Sequence, residues 1–445
     1  MTLSREIVDA YWSLGPLPRP VMEAARIALA DGLGVMTAAV ALEPATAPFL
    51  NHAMAMGGAG PSRIIGGKCA VAAPMAALAN GALAHALDFE DTFEAGMIHP
   101  NASLIPAVLA LAEAEKSGGG VILKALAIGC DFACRLSLAL DGDPAQRGWY
   151  HPPILSGLGA TLGAAHLAGL NEQRAVDALG LFAAQFMLGD ELKRSPQSHL
   201  RAVREGLAAR AAVESVLLAR AGVRAVEQPL EGRSGVFAQL TGKGPKEQTL
   251  IKELGTRFAG PSVAIKRWPS CRGTHSAIIA ALALKQKGVS PATIARVEVT
   301  ATPPNDMLFV PRQSRVAPAT AIDAKFSIPF VFAAAMMRDE VDLGAFSEAP
   351  RRDAAILDLA QRVELRELVP SARFEARYEI ELMDGARHVE QVETVPEWRT
   401  AEVQLHDLKP KLANCLGAAA VDVGAFLDAV GNLEVSGLEP LMRLL

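Results

Sequence analysis

The chain has 445 residues, 51% of them hydrophobic but only 5% aromatic, and carries a net charge of −5. That length exceeds what one ordinary core supports, so two domains or one large domain with an insertion is expected. Mild acidity without a long run of either charge excludes sequence-wide attraction to nucleic acid or to an anionic membrane, and leaves any anion binding to local sites.

The cysteines, Cys69, Cys130, Cys134, Cys271 and Cys415, are odd in number and scattered. This suits buried thiols in a reducing compartment better than a disulfide framework. Cys130 and Cys134 share a helical face without companion ligands, so neither zinc nor an iron–sulfur cluster is expected there. The opening MTLSREIVDAYWSL has acids and no apolar core of signal-peptide length, and a cytoplasmic location is the expectation.

From Leu3 to Ala59, apolar residues recur at helical spacing (Ile7, Val8, Tyr11 and Trp12, then Val21, Ala24, Ala25, Ile27 and Ala28). Pro16, Pro18 and Pro20 divide them, which predicts two helices joined by a short turn. Gly57 to Lys68, GGAGPSRIIGGK, is glycine-rich but fails as a phosphate loop. Ser62 occupies the required upstream glycine position, Cys69 follows the lysine and no strand precedes it. A turn with a short extended piece at Arg63 to Ile65 is expected instead.

Val71 to Ala84 is almost entirely alanine, leucine, methionine and proline, which predicts a buried helix. Asn80 to Pro106, NGALAHALDFEDTFEAGMIHPNASLIP, then introduces His85, Asp88, Asp91, Thr92 and His99. Spacings of three and four predict His85, Asp88 and Thr92 on one helix face, with a break at His99 and Pro100. A buried carboxylate or imidazole is costly without a partner. Two readings fit: a hydrogen-bonded helix end with ordinary core-edge acids, or a functional site.

Helices are predicted at Ser103 to Lys116 and Val121 to Leu138, and another opens after His151 and runs through Leu170. Gly148 to Asn171 is long enough to span a bilayer, but His151, Pro152, Pro153 and its glycines favour a buried helix. His151 sits where helix N–H groups attract anions; a plain capping position is the other reading. Asp177 to Met187 and Leu200 to Ala221 are predicted helical, the second beginning with Arg201 and Arg204. Near Val263 the character changes: Ile265 to His275, IKRWPSCRGTH, is a compact basic loop leading into a helix from Ser276 to Lys287. Arg296 to Ala301 alternates as a strand, and Phe374 to Val392 does so around a turn at Asp384 and Gly385, with Phe374, Ala376, Tyr378, Ile380 and Leu382 inward. Helices at Asp323 to Met337 and Arg351 to Gln361 lie between. The expectation is an α/β module inserted in a helical protein, with the tail from Arg399 helical again and rejoining the first domain.

The singled-out groups are carboxylates (Asp88, Asp91), imidazoles (His85, His99, His151, His275), a hydroxyl (Thr92) and cations (Lys266, Arg272, Arg201). Removing a proton next to a carboxylate requires a base, an acid for the leaving group and fixed positive charge for the substrate's acid groups. All three are present. No serine or cysteine lies in a nucleophile elbow, and no paired-histidine helical motif supports a metal site built from the histidines and Asp88, so acid–base chemistry ranks above both.

AHALDFEDT followed by IHP, then KRWPSCRGTH, then AKFSIPFVFAAA, resemble the MmgE/PrpD family. That family includes 2-methylcitrate dehydratase, cis-aconitate decarboxylase and iminodisuccinate epimerase, and the likeness runs through the whole chain in order. The resemblance implies a mostly α protein: an all-helical domain over residues 1–265 completed by 398–445, with an α/β lid domain inserted over 266–397. It also implies a homodimer without nucleic-acid or membrane partners, and metal-free, cofactor-free chemistry on a small di- or tricarboxylate in a cleft between the domains. By position it assigns catalytic roles to Asp88, Thr92, His99, His151 and His275, and substrate contacts to Lys266 and Arg272. Arg201 stands where the family usually has lysine, Arg204 at a nearby histidine position, Phe330 where tyrosine is frequent and Phe93 where histidine is frequent. Arginine is a poor proton donor and phenylalanine donates no hydrogen bond, so a shifted substrate and a catalytically silent dimeric binding protein both follow. Dehydration of a methylcitrate-like acid leads the catalytic options, beside epimerisation and decarboxylation.

Overall fold

The computed structural model describes residues 1–445 except Lys68, Arg194, Pro196, Gln197, Ala372, Phe374 and Glu397. The chain is mostly helical and divides into two compact units. The first comprises Met1–Ala86, Glu90–Ile265 and Trp398–Leu445; the second comprises Leu87–Phe89 and Lys266–Glu397.

The first unit is built from α1 (Leu3–Trp12), α2 (Arg19–Leu42), α3 (Ala47–Met56), α4 (Ala73–Ala86), α5 (Pro100–Glu115), α6 (Gly119–Leu138), α7 (His151–Leu167), α8 (Glu172–Gln185) and α9 (Leu200–Arg220). The starts follow local chemistry. Thr2 and Asn171 cap α1 and α8 through their side chains, and proline occupies the first turn of α2, α5 and α7, where its missing N–H costs nothing. From Ala76 to Ala86, α4 is buried on every face, which is why its sequence shows no amphipathic stripe. Small residues let the helix backbones touch. A Cβ on Gly206 of α9 would lie 2.3 Å from the Leu78 carbonyl oxygen of α4, and one on Gly159 of α7 would lie 2.5 Å from the Gly129 carbonyl oxygen of α6. The low aromatic content follows from this close approach, because large rings cannot enter such interfaces. The tail helix Lys409–Gly417 packs on α2, with Lys411 Nζ 2.6 Å from Asp31 Oδ1. The α2 helix is long and apolar enough to cross a membrane, and 78% of its most apolar window is buried in this fold.

The expected shared helix face of His85, Asp88 and Thr92 is not formed. The α4 helix ends at Ala86, and Asp88 takes the left-handed conformation with φ 50°. Thr92 instead pairs with Ala264, each N–H reaching the other's carbonyl at 2.8 Å. A left-handed residue breaks the helical repeat, and aspartate tolerates that conformation better than most side chains. In the glycine-rich link, the two-residue strand Ser62–Arg63 pairs with Ala70–Val71.

The second unit holds a four-stranded sheet in the order β2-β1-β3-β4, from β1 (Ile294–Ala301), β2 (Val363–Leu368), β3 (Ala376–Leu382) and β4 (Arg387–Val392). The β1 strand runs parallel to β2 and antiparallel to β3, and the β3–β4 hairpin turns through Gly385 at φ 86°. Val297, Val299, Ala301, Ala376, Tyr378 and Ile380 face the core as the alternation predicts, and Leu382 is half-buried. Phe374, expected inward with them, lies outside the described residues, as do Lys68 of the glycine-rich link and Arg194 and Pro196 ahead of α9. The helices α10 (His275–Gln286), α11 (Ile328–Met337) and α12 (Ala354–Gln361) belong to this unit. The predicted helix over Asp323 to Met337 is interrupted, because Ser327 caps the Phe330 N–H and Pro329 starts α11 afresh. That over Arg351 to Gln361 is split by Asp353, which caps α12. Phe332 stacks on Tyr378 at 5.9 Å between ring centroids.

Candidate active site

In the first unit the candidate groups gather around the chain between α4 and α5. His85, in the last turn of α4, is hydrogen-bonded through Nδ1 to Oε1 of Glu90. His99 immediately precedes Pro100 at the start of α5. Its Nδ1 lies 2.8 Å from the Asp91 carbonyl oxygen and 3.3 Å from the same Glu90 oxygen. A carbonyl can only accept, so Nδ1 carries the hydrogen and Nε2 is left as the basic nitrogen. The two rings are 5.1 Å apart; His85 is wholly buried, whereas the His99 side chain is 17% exposed.

Further carboxyls surround this pair. Asp91 accepts from Asn101 Nδ2 at 2.7 Å, and the Ser103 hydroxyl donates to Glu205 on α9. Burial pushes Asp91 up to about 7, opposed by the Asn101 bond and reinforced by Asp31 and Glu90. Burial also pushes Glu205 up to about 7, against Arg204 and Ser103, with Glu90 adding to the rise. A carboxyl raised in the fold contributes stability that is complete below its unfolded value near about 4, and that is lost as pH rises through the folded value. Asp91→Asn should therefore gain on the wild type as pH rises from about 5 to about 8, read by urea unfolding. The new amide oxygen still accepts from Asn101. A stability difference that stays constant over that range would contradict a carboxyl titrating near neutrality.

His151 is the first residue of α7. Burial pushes its imidazole down to about 4; a hydrogen bond to the Gly96 carbonyl opposes this and the Lys193 charge adds to it. The ring is neutral at pH 7, and among the described residues its buried Nε2 has no hydrogen-bond partner. Ser156, further along α7, donates to the His99 carbonyl at 3.0 Å, which ties the two histidine-bearing segments together. Beside His151, the Tyr150 ring is flanked by Lys193 Nζ at 5.0 Å and the fully buried Arg204 guanidinium at 4.9 Å. Arg204 donates to the Arg201 carbonyl and lies 3.4 Å from Glu205. Arg201 is itself buried. One face of the first unit thus combines a neutral imidazole with several cations.

The second unit carries the others. Lys266 Nζ sits 2.5 Å from Asp88 Oδ1 and 3.0 Å from the Asp88 carbonyl oxygen, with both side chains buried. Lys325, also buried, donates to the Leu87 carbonyl. His275 opens α10 with its ring edge-on to Trp268 at 5.2 Å. Burial pushes it well below the ordinary imidazole value, and the charges of Arg272 and Lys266 push it further. Arg272 grips Glu375 with two bonds of 2.8 and 2.9 Å. Burial would raise the Glu375 carboxyl, but the Arg272 bonds prevail and hold it below its ordinary value. Phe330 is fully buried, 6.4 Å from the Phe346 ring.

His85, Glu90 and His99 place ligand atoms within 4.8 Å of one another, a donor set that a divalent ion accepts. Two donors at about 2.0–2.2 Å from one tetrahedral ion would themselves stand roughly 3.3–3.5 Å apart. The His85–Glu90 contact is closer than that and is a hydrogen bond between the two side chains.

Residues 10–249 match the MmgE/PrpD N-terminal domain and residues 268–423 the MmgE/PrpD C-terminal domain. The chain belongs to the MmgE/PrpD family. Among its relatives, cis-aconitate decarboxylase of Homo sapiens is 26% identical over 375 residues, covering 81% of this chain and 76% of the relative. Cis-aconitate decarboxylase of Aspergillus terreus is 24% identical over 415 residues, covering 85% and 81%. That of Mus musculus is 25% identical over 391 residues, covering 83% and 78%.

In this MmgE/PrpD chain, reading the sequence missed Glu90, Glu205, Lys193 and Lys325. Glu90 falls at no helical spacing from His85, because their contact depends on the turn that ends α4. Lys325 did leave a signal, as an ammonium in the otherwise apolar run AKFSIPFVFAAA. Glu205 directly precedes Gly206, at the point where α9 meets α4.

Proposed function

We propose that the chain is a lyase or isomerase that acts on a small di- or tricarboxylate by side-chain acid–base chemistry. The observation that carries this reading is the His99 imidazole, with Nδ1–H committed to the Asp91 carbonyl and the opposite nitrogen basic, on a partly exposed ring at the start of a helix. His151 repeats the arrangement as a neutral imidazole at the start of α7. Helix N-termini favour carboxylates, so each base lies where an acidic substrate is attracted. His99 or His151 takes or returns the proton at the carbon next to a carboxylate, and His275, Asp88 and Thr92 are candidate partners. Arg201, Arg204, Lys266 and Arg272 are candidate contacts for the substrate's acid groups. In dehydration a C–H bond breaks and hydroxide leaves as water; in epimerisation the proton returns to the other face. In decarboxylation a carbon–carboxylate bond breaks, CO2 leaves and the carbanion takes the proton. The relatives named for cis-aconitate decarboxylation support the last option, whereas methylcitrate-like dehydration rests on the sequence resemblance alone.

The test is turnover and deuterium uptake in deuterium oxide with citrate, methylcitrate, cis-aconitate, itaconate and an iminodisuccinate-like acid. One of these should be converted or exchanged, and His99→Ala should slow that process by about 100-fold or more. Neither conversion nor exchange with any acid would overturn the proposal in favour of a non-catalytic binding protein.

A further inference from the structure

Glu90 is 2% exposed, and one of its oxygens faces Nδ1 of two different histidines. A buried carboxylate is costly unless hydrogen bonds and opposite charge surround it. Around Oε1 the neighbours are the two imidazoles, while Oε2, also buried, has no hydrogen-bond partner among the described residues. His85 is wholly buried and reaches no solvent, so of the two rings only His99 is placed to exchange a proton with a bound molecule. His99 Nδ1 lies 2.8 Å from the Asp91 carbonyl oxygen, which fixes the tautomer, and 3.3 Å from the Glu90 oxygen.

We infer that Glu90 is a positioning residue that equips His99 to accept a proton, with His85 bracing the carboxylate from its other side. The step balances without any co-reactant. A substrate C–H bond breaks, its proton passes to His99 Nε2, and the electron pair stays on the carbon next to the carboxylate. The imidazolium so formed keeps its Nδ1–H on the Asp91 carbonyl, with the Glu90 carboxylate 3.3 Å from the same nitrogen, which stabilises the charge at the moment it appears. The proton later returns to the product or to the leaving group, and Glu90 ends as it began. The inference rests on His99 being the proton-transfer group, as proposed above.

Glu90→Gln keeps the shape and an accepting oxygen but removes the charge. With the acid that turns over, its kcat should fall by roughly 30- to 1,000-fold while KM stays within about twofold. Glu90→Asp keeps the charge and should fall less. His99→Ala separates the two levels of the argument. If that variant is inactive while Glu90→Gln keeps kcat within about threefold, the role of Glu90 is refuted and the functional reading stands. If His99→Ala stays active, His99 is not the proton-transfer group, the inference about Glu90 falls with it, and the functional reading rests on His151 alone. Should Glu90→Gln fail to fold, Glu90→Asp decides: a kcat that falls with KM unchanged supports the inference, and a kcat within about twofold of the wild type overturns it. Dialysis against a chelator should leave activity unchanged. Loss of activity restored by a divalent ion would overturn the inference in favour of a metal held by His85, Glu90 and His99.

Discussion

Asp88→Asn should destabilise the protein by about 3–5 kcal/mol, because it removes the carboxylate from a buried ion pair and leaves the lysine charge buried. The side chains of Lys266 and Asp88 are 0% and 1% exposed and stand 2.5 Å apart. Asparagine keeps the volume and tolerates the left-handed backbone at φ 50°, so the loss reports charge rather than strain. Chemical denaturation of the wild type, Asp88→Asn and the double variant with Lys266→Met measures it. The double variant should recover much of the loss, since exchanging a buried pair for apolar groups is often close to neutral. A loss below about 1 kcal/mol in Asp88→Asn would mean that the ammonium finds other compensation. The result also bears on chemistry, because the Asp88 carboxylate, expected from sequence to move protons, is already held by a lysine.

Gly206→Ala should cost at least about 1–3 kcal/mol, at the upper end or beyond, because its new methyl group meets backbone rather than a side chain that can turn away. The Cβ would stand 2.3 Å from the Leu78 carbonyl oxygen and 2.8 Å from the Ala82 nitrogen, so α4 and α9 would have to separate. That separation would pull Glu205 and the His85 end of α4 out of register, and activity should fall with stability. Gly120→Ala is the control. Its Cβ would meet only the end of the Glu434 side chain at 3.8 Å, in the first turn of α6, where alanine favours the helix by up to about 1 kcal/mol. Equal unfolding midpoints for the two variants would show that the α4–α9 contact is looser than described.

Most helices were legible in the sequence because small apolar runs bounded by proline or glycine leave few alternatives, as at Pro100–Glu115 and Gly119–Leu138. The end of α4 was not. Asp88 leaves the helix to meet Lys266, 178 residues away along the chain, and no local periodicity carries that information. The β2 strand was missed for a different reason. Val363–Leu368 is an edge strand whose alternation breaks at the adjacent Arg366 and Glu367, where its pairing with β1 shifts register. The candidate site was legible where a titratable group stands out of an apolar run or beside proline, as with His99, His151 and Lys266. It was not legible where two side chains share one partner. Glu90 looks like one acid among several until the fold sets two imidazoles on a single oxygen.

Leu87–Phe89 groups with the inserted unit although the chain on both sides of it groups with the helices. Its Asp88 carboxylate and carbonyl accept from Lys266, and the Leu87 carbonyl accepts from Lys325, in that unit's interior. A polypeptide cut at Lys266 and Glu397 would forfeit those acceptors and keep both ammonium groups. The insert is therefore no portable cassette. Any chimera that transplants it into another scaffold must also graft the LDF triplet, since the piece that completes it is encoded far upstream.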